Sequence, residues 1–135
     1  MRDVPNAKPW VELEEDGRCL VSIPATTKDR IWDSIDTPDT SDDYISQRAD
    51  FLITADGKEG EIIRVLDTNG YPILITHWQS LMSNGLGTGI RILGEVAHRV
   101  NQHLSDRVEW MSFEQILKMV VANKEAYPKP EILQD

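Results

Sequence analysis

His77 is the residue of this sequence best placed to do chemistry. It closes the apolar run Ile73-Leu74-Ile75-Thr76 and is followed by Trp78, Gln79 and Ser80. If that run is a strand, His77 stands where strand gives way to loop, the position at which barrels and open α/β sheets carry catalytic groups. An imidazole there can serve as general acid or base, because imidazoles titrate near neutrality. Trp78 offers a face on which a sugar ring can stack. The plainer alternative is a histidine hydrogen-bonded beneath the loop, with the tryptophan in the core. The residues alone leave both readings open.

The other candidates carry less. Asn84-Gly85-Leu86-Gly87-Thr88-Gly89 precedes a helical pattern, and glycine-rich turns at helix starts can cradle phosphate. Its glycines are spaced G-x-G-x-G, however, with neither the later acidic residue of a dinucleotide site nor a P-loop lysine. A flexible active-site loop fits better. Asp33, Asp36, Asp39, Asp42 and Asp43 crowd around Pro38. A calcium loop starting at Asp33 needs glycine and glutamate where Pro38 and Tyr44 stand, so a solvated loop is expected. His98 and His103 share a helix but lie on different faces, and no cysteine–histidine zinc pattern or G-x-S-x-G elbow occurs.

Hydrophobic patterning supplies the elements that must position these groups. Arg2–Asp16 is polar and reads as an arm. Cys19–Ile23 reads as a strand between Gly17 and Pro24. Thr26 and Asp29 have capping-box spacing ahead of a short helix with Ile31, Trp32 and Ile35. Ser41 caps a helix carrying Ile45, Ala49 and Leu52. Asp56 and Glu59 start another, over about residues 57–69, ended by Gly70 and Pro72. Ile73–Trp78 has a continuous aliphatic start, as expected of a strand covered on both faces in a parallel sheet. A helix follows with Ile92, Val96, Val100 and Leu104 in one stripe, then a strand over Arg107–Met111. Ser112 and Gln115 box the last helix, whose core face is Ile116, Leu117, Val120 and Val121. The expectation is α/β, with parallel strands joined by helical crossovers. The domain spans residues 17–124, with an arm over 1–16 and a tail over 125–135.

Composition narrows the partners. A chain of 135 residues with 40% hydrophobic and 27% charged residues is a globular domain. A net charge of −9 argues against nucleic acid and anionic membrane surfaces, and leaves neutral sugars or cations. Cys19 has no partner within the chain and reads as a buried thiol. The first residues lack a signal peptide's apolar stretch and no run approaches a membrane span, so a cytoplasmic location is the default expectation.

Ile73-Leu-Ile-Thr-His-Trp78, the helix beyond it, and Val108-Glu-Trp-Met-Ser-Phe-Glu-Gln-Ile-Leu117 resemble the end of the polysaccharide deacetylases. Leu20-Val-Ser-Ile-Pro-Ala-Thr26 is similar to that family's mid-barrel strand, with Ser22 where the family has glutamate. The resemblance covers roughly residues 17–121. It implies the C-terminal half of a distorted (β/α)7 barrel and metal-dependent hydrolysis of acetyl groups on sugars. It further implies His77 as the general acid on the leaving group and Leu74 as a wall of the acetyl pocket. Trp78, Gln79 and Asn84 are then the remaining candidate substrate contacts.

The family's metal-binding aspartate, paired histidines and catalytic base belong to its N-terminal half. Neither a Thr-Phe-Asp-Asp-like run nor His-x-x-x-His occurs in this sequence. No metal ligand is therefore assigned, and zinc or another divalent metal is expected only in a complete family member. The first expectation is the C-terminal portion of such a hydrolase, inactive alone, that meets acetylated saccharide with a missing N-terminal half or in a homodimer. The second is a non-catalytic carbohydrate-binding or interaction module. The third is a small α/β protein in which His77 is structural.

Overall fold

The computed structural model describes residues 4–131. The first three residues of the expected arm and the last four of the expected tail lie outside them. The chain divides into two compact units, a helical unit of residues 4–6 and 25–108 and a hairpin unit of residues 7–24 and 109–131.

The helical unit contains α1 (Asp42–Asp50), α2 (Glu61–Asp67), α3 (Trp78–Met82) and α4 (Thr88–His103). The Ser41 hydroxyl accepts the Tyr44 amide and caps α1, whose first turn carries Asp42 and Asp43 against the helix dipole. Ile92, Val96, Val100 and Leu104 recur on one side of α4 and at its end. They are buried with Ile31, Ile45, Ala49, Leu52, Ile53 and Ile63 in one core. Arg99 is only 3% exposed among them. Its guanidinium donates to Asp50, Glu95, the Ile53 carbonyl and the Ser46 hydroxyl, so the buried charge is paired.

The hairpin unit contains β1 (Trp10–Glu15) and β2 (Arg18–Ser22), which pair antiparallel with Leu13 opposite Leu20, and α5 (Phe113–Ala122). Asp16 and Gly17 join the strands, both at positive φ (53° and 74°). That is the backbone a two-residue hairpin turn needs and the reason Asp-Gly favours it. Ser112 and Gln115 form the expected capping box at the start of α5. Beyond it, the Val11 amide donates to the Tyr127 carbonyl, Lys124 pairs with Glu14 and Lys129 with Glu12.

This architecture corrects the expected fold. Among the described residues the only sheet is a two-stranded antiparallel hairpin, not a set of parallel strands alternating with helices as in half a barrel. Ile73–Trp78 is not a strand. It makes one isolated parallel bridge, Leu74 to Thr27, and Ile75 is 53% exposed, so the run is not covered on both faces. A short aliphatic run does not by itself specify a sheet. Arg107–Met111 also forms no strand, because the Arg107 and Val108 amides turn back onto the Leu104 carbonyl.

The α-helix expected directly after Thr26 does not form. The Thr26 hydroxyl donates to the Tyr71 carbonyl and accepts the Ile73 amide, so it cannot cap, and a single 3-10 turn over Trp32–Ser34 forms instead. The helix expected over residues 57–69 begins at Glu61, because Gly57 and Gly60 lie at positive φ (73° and 117°), outside helical backbone. The polar arm contributes β1. Among the described residues no helix is long and apolar enough to cross a membrane.

Candidate functional site

The residues around His77 are assembled by the pairing of residues 26–27 with 73–74 in the helical unit. The Thr26 and Thr27 amides both donate to the Ile73 carbonyl, at 3.0 and 3.1 Å. Because this contact is parallel, the two segments advance together, and Asp29 arrives beside Thr76 and His77. Asp29 is fixed from three sides. Its Oδ1 accepts the Ile31 amide at 3.0 Å, the Trp32 amide at 3.2 Å and the Thr76 hydroxyl at 3.3 Å. The first two bonds also start the 3-10 turn, as an aspartate N-cap does.

The other oxygen, Asp29 Oδ2, lies 3.5 Å from His77 Nδ1. That is ion-pair range but too long for a formed hydrogen bond, and Oδ2 has no other partner. The carboxylate is largely buried at 17% exposure, whereas the imidazole is 60% exposed. The Trp32 indole packs edge-on against the imidazole, with ring centroids 4.8 Å apart and planes at 68°. His77 is the N-cap residue of α3, and Trp78, its next residue, is 71% exposed. The result is an accessible imidazole, backed by an anchored carboxylate and an indole edge, with a second indole beside it in the chain.

Of the residues expected at the site, His77, Trp78 and Gln79 are consecutive and exposed. Leu74 is partly buried against the core, so it serves packing. Asn84 stands at the far end of α3 in the left-handed region (φ 54°), and its amide donates to Asp36 at 2.8 Å. Asp29 and Trp32 were not foreseen. Asp29 reads in sequence as the partner of a Thr26 cap and Trp32 as a helix's apolar face. Only the contact with residues 73–76 brings them to His77.

The glycine-rich segment is not an open cradle. The Ser83 hydroxyl donates to the Ser80 carbonyl and accepts the Gly89 amide, and Ser80, Ser83, Thr88 and Gly89 are buried. A Cβ on Gly89 would stand 2.0 Å from the Ser80 oxygen, so glycine is required there by close packing rather than by a ligand.

The aspartates do not converge either. Asp33 pairs with Arg48, Asp36 with Asn84 and Asp42 with Arg91. The hydroxyl and backbone amide of Ser41 hold the Asp39 carboxyl below the usual carboxylate range. His103 bonds the Ala55 carbonyl at 2.7 Å and packs on Gly57, whereas His98 is exposed.

Among the described residues no group of three or more histidine, cysteine, aspartate or glutamate side chains is arranged to hold a metal ion. Asp29 and His77 are two donors and do not fit the divalent centre that the deacetylase resemblance implies. Compared with models of known families, with curated proteins and with solved structures, the chain matches none.

Proposed function

We propose that Asp29, Trp32, His77 and Trp78 form the sugar-contacting, proton-donating side of a polysaccharide-deacetylase-like hydrolase that acts on acetylated saccharides. The observation that carries this reading is the Asp29–His77 pair. A carboxylate fixed by three hydrogen bonds faces Nδ1, which leaves Nε2 of an exposed ring as the nitrogen available to a ligand. A histidine oriented in this way can deliver a proton to the nitrogen or oxygen that leaves when an acyl group is removed. Exposed indole faces suit the apolar faces of pyranose rings. Hydrolysis by a deacetylase also needs the acetyl carbonyl polarised and water activated. The described residues do not build the metal site for that, so this chain supplies proton donation and sugar contact only.

A second reading, a non-catalytic carbohydrate-binding surface, is favoured by the 71% exposure of Trp78, which needs no imidazole to hold a sugar. Both readings are tested by titrating the chain with N-acetylglucosamine oligomers. Indole fluorescence and the imidazole resonances of His77 are followed in wild type, Trp78→Ala and Asp29→Asn. The hydrolase reading expects saturable binding that weakens at least about tenfold in Trp78→Ala, the loss of a stacked ring. It also expects the His77 resonances to move with the ligand, and to move differently in Asp29→Asn. Binding that shifts indole signals but leaves the imidazole untouched selects the second reading. No saturable binding overturns both.

A further inference from the structure

We infer that the exposed side of α5 docks against α5 of a second copy of this chain, antiparallel about a two-fold axis close to Leu117. The inference concerns the hairpin unit and does not rest on the saccharide reading. α5 carries a wider apolar arc than its own unit covers. Val120 is fully buried and Ile116 half-buried where the helix packs on β1 and β2. Phe113, Leu117 and Val121 recur every four residues and are 64%, 39% and 37% exposed. At about 100° per residue these three fall within an arc of about 80°, a continuous apolar seam. On one side the seam is bounded by Ile116 and Val120. On the other it is bounded by Glu114 and Lys118, which pair at 3.0 Å one helical turn apart.

The charges choose both occupant and direction. A two-fold axis perpendicular to two antiparallel helices sets each flank against the same flank of the other copy. Phe113 then faces the smaller Val121, Leu117 faces its own counterpart, and Glu114 comes within reach of Lys118 across the seam. This surface is self-complementary, as an isologous interface requires. Parallel pairing would instead oppose Phe113 to Phe113, with overcrowding, and would set the Glu114–Lys118 flank against the partner's Ile116–Val120 flank, with no ion pair across the seam. The seam runs over only about 12 Å of helix, so the dimer is reversible and concentration-dependent rather than obligate.

Sedimentation velocity over a concentration series up to about 1 mM tests this. Circular dichroism checks that each variant keeps its helices. The wild-type sedimentation coefficient should rise with concentration. Leu117→Asp, at the centre of the seam, should hold the chain monomeric while its helices are kept. Glu114→Lys and Lys118→Glu should each weaken association at least about fivefold, and the double variant should recover to within about twofold of wild type. Recovery of association, with helicity equal across the series, supports the antiparallel register, because parallel pairing sets neither charge against the other across the seam. A wild type that stays monomeric throughout overturns the inference. So does a dimer indifferent to Leu117→Asp, or a double variant no better than its single parents.

Discussion

The helical unit and the hairpin unit are each organised around an amphipathic helix, yet they cover those helices to different extents. α4 lies against α1 and α3, and its stripe of Ile92, Val96 and Val100 is at most 4% exposed. Within its own unit, among the described residues, α5 lies on a two-stranded hairpin, and Val120 alone of its four expected core residues is fully buried. Two strands offer one narrow face, and an isolated hairpin is marginal in water. An apolar stripe in the sequence therefore specifies which side of a helix turns inward, but not how much of that side finds a neighbour. The number of neighbouring elements decides that.

Truncating a core side chain of α4 should separate the two units' stabilities most clearly. Ile92→Ala removes a fully buried side chain from the helical core and should cost about 2–5 kcal/mol, measured by urea unfolding. Leu117→Ala, at 39% exposure in α5, should cost less than about 1 kcal/mol in the same measurement. Equal losses would mean that α5 is covered as fully as α4.

An effect smaller than that of Ile92→Ala is expected at the start of α5. Ser112→Ala deletes the hydroxyl that accepts the Gln115 amide and should cost about 1 kcal/mol. Hydrogen exchange should speed up in the first turn of α5 while α4 amides keep their protection.

The smallest effect is set by acid. Lys129 and the Trp10 indole both donate to Glu12 and hold its carboxyl below its ordinary 4.5. A carboxyl with a lowered folded pKa stabilises the folded state above its unfolded value, and that stabilisation is lost as pH falls through the folded one. Below about pH 4.5 the Val11 amide, bonded to the Tyr127 carbonyl, should lose protection once intrinsic exchange is corrected for. α4 amides should not change at that pH.

Local signals were legible in the sequence. Ser41 at the start of α1, the Ser112–Gln115 box and the α4 stripe sit where spacing places them, because each depends on contacts within a few residues. Asp16-Gly17 was an equally local hairpin signal, masked by the glutamates of β1. Those glutamates tolerate a strand because Lys124 and Lys129 reach them from more than a hundred residues away. The site was half legible. His77 stood out by its type and position, whereas Asp29 and Trp32 depend on a threonine hydroxyl gripping residues 71 and 73. Nothing within either segment announces that grip, and the same apolar letters at 73–75 suit a sheet strand equally well.

The hairpin unit is assembled from two stretches of chain, residues 7–24 and 109–131, with residues 25–108 of the helical unit between them. In an unfolded chain, joining those stretches closes a loop as long as the span 25–108, an entropic cost of about 4 kcal/mol. Once the helical unit has folded, the ends of that span are held at a fixed separation and most of the cost no longer falls on the hairpin. The loop-closure term accordingly favours order that propagates outward from the middle of the chain. Damage to α4 should disorganise both units, whereas damage to the hairpin should stay where it is made.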